Sequence, residues 1–320
     1  MTVKAGLSYL SASAGAAGSK RFNMATIVRD PLVADHFVEM DLQSGEDCAK
    51  VRSLYEEGNL ILLRGVRFDL DYAFLNSLNF DVEGPDEIIR KLKKYGGDRV
   101  IGLDPSSPNS LDQFVFQKVF NRDAGKLSYF QDQVKSGDAQ SDALYSRLFP
   151  RYVPTRTVYT WRFTSTMFEN LHWDNFGIVE PFHQVRIFTN IAASPRLWRT
   201  SHRIDHFAET IYDTHDLGQL ADKIGDDLNR FVNKTVGGMK GACLDRLPKN
   251  HIAFEQGDVW LCETRIVAHQ IYHGEKAFAA MYFSDPETMD RPELTFDARI
   301  ARLHQRHGHG ERVRSTAKAQ

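Results

Sequence analysis

Five short segments in the second half of the chain, 158–163, 185–191, 259–262, 266–269 and 277–283, are dense in β-branched, aromatic and small apolar residues. Such segments suit a pleated, half-buried surface, and a chain that carries them in series must pair them into sheets. This predicts a mainly β second half, with 185–191 alternating in character. The first half reads differently. Cys48, Val51 and Leu54 are spaced for one helical face, and 60–63 is a buried strand ending before Gly65. Leu70, Phe74, Leu75 and Leu78 give a second short helix, and Ile88, Ile89 and Leu92 a third, all suited to backing a sheet. Residues 102–140 are rich in Gly, Pro, Ser, Asp and Asn and read as mostly loop, followed by a helix through Leu144 and Leu148 that stops at Pro150. Leu217, Leu220, Ile224, Leu228 and Phe231 form a helical stripe of the kind that faces a core.

Charge and cysteine usage then remove whole classes of function. With 40 Lys+Arg against 42 Asp+Glu the net charge is −2, which lacks the cationic excess of a nucleic-acid binder. Cys48, Cys243 and Cys262 are too few and too scattered for a disulfide framework or a Cys-rich zinc site, so a reducing, cytoplasmic setting is expected. No apolar run approaches the roughly 18 residues of a transmembrane span. The nucleophile elbow, the H-E-x-x-H zinc helix, C-x-x-C and the Walker loop are all absent from the sequence.

Histidine is what remains to be explained. His172-Trp173-Asp174 lies between the first two β segments. In extended chain, residues i and i+2 project to the same side, so His172 and Asp174 can share one ion. A second histidine from elsewhere would complete the facial triad that holds Fe(II) with positions left open, and His269, reached after the Gly257-Asp258 turn and the strand at Trp260, is the candidate. With 12 histidines in the chain, a His-X-Asp is expected about once by chance. His183, His202, His206, His251 and His273 are competitors, so spacing alone leaves the metal reading open.

An ordered series of blocks carries the reading further: Leu148-Phe149-Pro150-Arg151-Tyr152, Tyr159-Thr160-Trp161-Arg162, Leu171-His172-Trp173-Asp174-Asn175-Phe176, Val185-Arg186-Ile187-Phe188-Thr189-Asn190, Pro195-Arg196-Leu197-Trp198-Arg199, then 254–262 and Val267-Ala268-His269-Gln270. Together, over residues 55–285, they resemble the iron and 2-oxoglutarate dependent Kdo hydroxylase family, Kdo being 3-deoxy-D-manno-octulosonic acid. The resemblance implies a mainly β fold with helical additions, a double-stranded β-helix (a jelly-roll, cupin-like barrel) buttressed by α-helices. It implies Fe(II) on His172, Asp174 and His269, with 2-oxoglutarate and O2 as co-substrates. Many barrels of this kind keep an arginine some ten residues after the distal histidine, but residues 273–279 contain none. Arg186 and Arg162, flanking the His-X-Asp, match arginines of the family pattern and are the expected 2-oxoglutarate clamps, because a guanidinium fork grips a carboxylate in bidentate fashion. Trp198 and Asn190 are candidates for contact with substrate, and Asn175 and Gln270 for orienting the ligands.

The substrate implied is the Kdo sugar of a lipid A precursor, an anionic, lipid-linked molecule suited to Arg196, Arg199 and Arg203. It would be met at the inner face of the membrane, where the basic tail could make peripheral contact with anionic lipid. The longer N-terminal arm and the Trp173-Asp174-Asn175 sequence depart from the family pattern and keep two other readings open. One is a tailoring oxygenase acting on an amino acid or another natural-product intermediate. The other is a cupin-like metal-binding protein without 2-oxoglutarate turnover. The expected organisation is a loose arm over 1–35, one oxygenase domain over 36–290 with a helical part to 150 and the barrel from 151, and a polar tail over 291–320. Oligomeric state is unreadable at this level.

Overall fold

The computed structural model describes residues 25–93, 97–108 and 110–308. Two sheets face one another. The larger runs in the order β2 (Phe37–Asp41), β3 (Leu60–Arg64), β9 (Val259–Leu261), β6 (His183–Asn190), β11 (Ala277–Ser284), β4 (Pro154–Arg162). The smaller runs β1 (Thr26–Val28), β8 (Asn250–Phe254), β7 (Arg196–Arg203), β10 (Val267–Gly274), β5 (Thr166–Met167). Neighbouring strands are antiparallel throughout, except that β2 and β3 are parallel.

Alternation along the larger sheet separates two cores. Ile61 and Leu63 of β3, Val185 and Ile187 of β6, and Phe278, Ala280 and Tyr282 of β11 belong to the core under the helices. Leu60, Leu62 and Phe188 belong to the core between the sheets, with Trp198, Phe254 and Trp260. Arg186, two residues before Phe188, therefore points into the space between the sheets. The outer core is roofed by α1 (Gly45–Glu56), α2 (Tyr72–Ser77), α3 (Asp86–Lys93), α4 (Gly97–Ile101), α5 (Ser110–Lys118) and α6 (Ala124–Leu148). The inner core is closed by α7 (Ile204–Ile211), α8 (Gly225–Phe231) and α9 (Phe296–Arg306). Among the described residues no helix is long and apolar enough to cross a membrane.

Three expectations are corrected. Residues 102–140 are not mostly loop: they contain α5 and most of α6, which is 25 residues long. Its buried face runs Leu127, Phe130, Val134, Gly137, Ser141, Leu144 and Leu148 at helical spacing, but small and polar residues at its centre disguise it. Those residues are matched to the sheet beneath. A Cβ on Gly137 would lie 2.5 Å from Cζ2 of Trp161, the Trp161 indole donates to Asp138 at 2.9 Å, and the Ser141 and Tyr282 hydroxyls bond at 2.9 Å. The stripe from Leu217 is not one helix either; a 3-10 turn at Leu217–Leu220 is separated from α8, which runs on into a π-helical turn at Val232–Val236.

The third correction concerns the ends. Residues 292–306, expected within a polar tail, form a 3-10 turn and α9, capped by the Thr295 side chain accepting from the N–H of Ala298. Phe296, Ile300 and Leu303 are buried at helical spacing, and the buried Arg299 pairs with Asp205 at 3.3 Å. A charge-rich helix with an apolar stripe reads as a tail when only its composition is counted. Thr26–Val28, expected within the loose arm, pairs with β8. Residues 1–24 and 309–320 lie outside the described residues.

Leu303 tests the placement of α9. Leu303→Ala should cost about 2–5 kcal/mol in chemical denaturation, the range for a buried leucine. A loss below about 0.5 kcal/mol, typical of a surface site, would return these residues to the tail.

Candidate metal centre and anion pocket

The segment between β5 and β6 runs alongside β10. Phe168 and Glu169 donate their N–H groups to the carbonyls of Tyr272 and Ile271, and His172 and His269 exchange both backbone hydrogen bonds, at 3.1 and 2.9 Å. Directly opposed residues of an antiparallel pair project to the same side. The two imidazoles accordingly have centroids 4.6 Å apart. Asp174, two residues on, is fixed by its N–H donating to the carbonyl of Thr264 at 2.8 Å. Its Oδ1 lies 3.4 Å from Nε2 of His172 and 3.9 Å from Nε2 of His269. One ligand atom from each residue falls within 4.8 Å of the others, and among the described residues no second group of three His, Cys, Asp or Glu side chains gathers in this way.

Both rings are already oriented for ligation. Nδ1 of His172 lies 2.7 Å from the carbonyl of Asn170, and Nδ1 of His269 lies 3.2 Å from that of Val267. A carbonyl only accepts, so each Nδ1 carries a proton and each ring turns Nε2 toward Asp174, the atom that would ligate a metal when unprotonated. Charge is arranged to match. Burial would raise Asp174, but the Arg186 guanidinium 2.6 Å away, the hydrogen bond to His172 and the two imidazoles hold it well below the usual carboxylate range. Burial, reinforced by His172 and opposed by Asp174, pushes His269 down to about 3. Burial also works against protonated His172, yet Asp174, the Asn170 carbonyl and Glu169 outweigh it and raise that residue. At neutral pH the site therefore holds a carboxylate and an unprotonated His269, the forms that bind a divalent ion. The donor set of two imidazole nitrogens and one carboxylate on one face fits Fe(II).

The other expected site residues fall in different places. Arg186 does face the site, but its Nη1 is committed to Asp174 and to Thr264 Oγ1 at 3.2 Å. Arg162, at the end of β4, donates to Thr166 Oγ1 at 2.9 Å and meets Glu169 at 3.5 Å. Trp198 is 2% exposed and stacks on His269 with centroids 5.6 Å apart, within a wall that includes Phe188, Phe254 and Trp260. It is buried against the His269 ring. Asn190 is spent on a turn, donating to the carbonyls of Ser194 and Phe254 and accepting from the N–H of Ala192. Gln270 donates to the carbonyl of Glu169 at 2.6 Å, tying β10 to the ligand segment, and Asn175 is exposed. The carboxylate's partner is Arg186, not Asn175.

Arg196 gains a role that sequence reasoning assigned only in general terms. It lies on β7 two residues before Trp198, is 3% exposed, and its Nη1 is buried without a hydrogen-bond partner. Gly274 makes room for it, since a Cβ there would lie 2.5 Å from that nitrogen. Burial lowers Arg196 to about 9, with Arg162 and Arg186 adding to the shift and Glu169 opposing it, so the group is still a cation at neutral pH. A buried cation without a bonded anion is costly and marks a place prepared for one. The signal was the alternation 196, 198, 200 along β7, which puts the guanidinium on the same face as the indole that backs His269.

No family model matches the sequence, and no curated protein matches it. The fold is a jelly-roll of two facing sheets, shared with solved structures described as non-heme Fe(II) alphaketoglutarate dependent dioxygenases. Among the solved structures it resembles are those of the Kdo hydroxylase KdoO: its apo form at TM-score 0.56 and 17% identity, and its cobalt(II) complex at 0.55 and 17%, each covering 85% of this chain and 96% of that one. The KdoO complex with alpha-ketoglutarate and Fe(III) matches at TM-score 0.51 and 16% identity, over 86% of this chain and 97% of that one.

Arg196→Met keeps the bulk and removes the charge. It should leave stability unchanged or raise it by about 1–4 kcal/mol, as replacement of buried charges by apolar groups does. A loss of stability in chemical denaturation would mean that Arg196 is satisfied within the fold.

Proposed function

We propose that this protein is an Fe(II)- and 2-oxoglutarate-dependent dioxygenase that hydroxylates an unactivated C–H bond of an anionic substrate, in the first instance the Kdo sugar of a lipid A precursor. The observation that carries the reading is the convergence of two imidazole Nε2 atoms and the Asp174 carboxylate, with both Nδ1 protons fixed, inside a space that also holds the unpaired Arg196. The fold likeness to KdoO, described as a Kdo hydroxylase and a non-heme Fe(II) alphaketoglutarate dependent dioxygenase, supports both the reaction and the first choice of substrate.

When bound, the metal and 2-oxoglutarate would supply oxidation by O2, with 2-oxoglutarate converted to succinate and CO2 as the substrate carbon gains a hydroxyl. His172 and His269 would hold the metal through Nε2 and Asp174 through Oδ1, while Arg186 keeps Oδ2. Arg196, assisted by Arg162, would grip the far carboxylate of 2-oxoglutarate, a charge-assisted pairing strengthened by burial. Trp198, Phe188 and Trp260 pack together behind His269 and would keep water from that side of a bound metal. Among the described residues Asp174 pairs with Arg186 and Glu169 with Arg162, while Arg196 makes no ion pair, and this cationic surplus suits an anionic substrate as well as a dianionic co-substrate. Such a substrate, if lipid-linked, would be reached from the cytoplasm at the membrane surface.

Three measurements test the reading. Asp174→Ala should lose bound iron and succinate formation; undiminished iron would falsify the triad. Arg196→Met should retain iron and weaken 2-oxoglutarate by about 30-fold or more, the effect of deleting one partner of a buried charge pair. Unchanged affinity would assign the carboxylate to Arg162. Mass spectrometry after incubation with a Kdo-bearing lipid A precursor, free Kdo and a panel of amino acids should show a gain of one oxygen on the Kdo sugar. Oxidation of an amino acid alone would favour a tailoring oxygenase.

A further inference from the structure

Helix α8 runs beside the metal-ligand segment and spends its polar side on that segment's backbone. Asp226, Asn229 and Asn233 are spaced i, i+3 and i+7, which places them on one side of the helix. Asp226 Oδ2 accepts the N–H groups of Phe176 and Gly177 at 2.6 and 2.8 Å. Asn229 donates to the carbonyls of Asp174 and Arg265 at 2.8 and 3.0 Å. Asn233, in the π-helical turn, accepts from the N–H of Trp173 at 3.1 Å and donates to its carbonyl at 2.6 Å. Residues 173–177 belong to no regular strand, so their buried backbone groups need partners from elsewhere. Apart from the Thr264 carbonyl, which takes the N–H of Asp174, one helix and its π-helical turn provide those described above.

The helix is itself aligned from the far side. Arg265, 1% exposed, lies 3.8 Å from Asp226, 3.2 Å from Glu263 and 3.9 Å from Asp297 in the first turn of α9, and over the rings of Phe182 and Phe296. Gly225, the first residue of α8, fits beneath α9 because a Cβ there would collide with Asp297 and Phe296. The position of α9 thus sets α8, and α8 sets the peptide of Asp174.

We propose that Asp226, Asn229 and Asn233 are positioning residues of the metal centre, forming a polar splint that fixes the backbone of the ligand carboxylate. The proposal rests on the metal reading above. None of the three touches the metal; each acts through Trp173, Asp174 or the residues that follow, and a ligand displaced by a fraction of an ångström no longer closes the triangle with His172 and His269.

The test separates this role from general stabilisation. Anaerobic Fe(II) and Co(II) titrations, with denaturation of the metal-free proteins, compare the wild type with Asp174→Ala, Asp226→Ala, Asp226→Asn, Asn229→Ala, Asn233→Ala and Leu228→Ala. Leu228 is buried on the apolar side of the same helix, and its side chain makes none of the splint's hydrogen bonds. The alanine variants at 226, 229 and 233 should bind metal about 10–100-fold more weakly, as for lost outer partners of metal ligands. Asp226→Asn, whose amide oxygen still accepts, should recover most of that loss. Leu228→Ala should lose stability yet bind metal within about twofold of wild type, since no ligand partner is removed. Should the alanines unfold, Asn233→Asp keeps the acceptor for Trp173 and deletes the donor, and should itself weaken metal binding. Wild-type metal affinity in the folded splint variants, or an equal loss in Leu228→Ala, would overturn the splint. A wild type that binds no metal would overturn the metal reading, and the splint with it.

Discussion

The ion pair between Asp174 and Arg186 is the interaction on which the rest of the centre depends. A carboxylate set between two imidazoles and largely shielded from water loses much of its hydration unless a cation and hydrogen bonds replace it. Arg186 supplies the cation at 2.6 Å and can do so only because strict alternation on β6 turns Val185 and Ile187 to the helices and Arg186 inward. The pair uses one carboxylate oxygen and leaves the other facing both Nε2 atoms. A one-residue slip of β6 would exchange the two faces and remove the charge compensation along with the core.

Around that pair the fold works by constraint at short range. Each imidazole is held by a carbonyl two residues back in its own segment, so tautomer and ring plane follow from the local backbone. The backbone is held in turn by the exchanged bonds between His172 and His269 and by the polar side of α8. The stacked indole and phenyl rings behind His269 add rigidity without adding a competing ligand. The two sides of the inner sheet space differ in charge: stacked aromatic rings form one, while arginines, among them Arg196 with a buried unpaired nitrogen, stand on the other.

Much of this was legible in the residues, and the limits have physical reasons. The β segments and the short helices α1 to α3 announce themselves by periodicity, and the His-X-Asp with its distal histidine emerges from extended geometry together with the ordered blocks. Helix α6 was hidden because its buried face contains Gly137, Asp138 and Ser141, whose fitness depends on a tryptophan and a tyrosine from other strands. Strand β7 was hidden because its eight residues, Arg-Leu-Trp-Arg-Thr-Ser-His-Arg, are polar on both faces. The splint was hidden by the apolar stripe that shares its helix: Leu228 drew the reading toward core packing, and the polar residues between looked like a solvated face. Composition assigns such residues to water, and only the third dimension reveals that their partner is backbone.

The contact of Gly137 with Trp161 bears on how this sequence can drift. An alanine at 137 has no space until the indole is replaced, and a smaller ring at 161 leaves a void and takes the indole donor from Asp138 until the helix changes too. Neither step is neutral alone, so the two positions form an epistatic pair that lineages should retain or exchange together. Trp161 is followed directly by Arg162, on the opposite face of the same strand and turned toward Glu169. A backbone shift that accommodates a new helix residue would be carried to that guanidinium, which links the evolutionary freedom of the outer layer to the chemistry of the inner one.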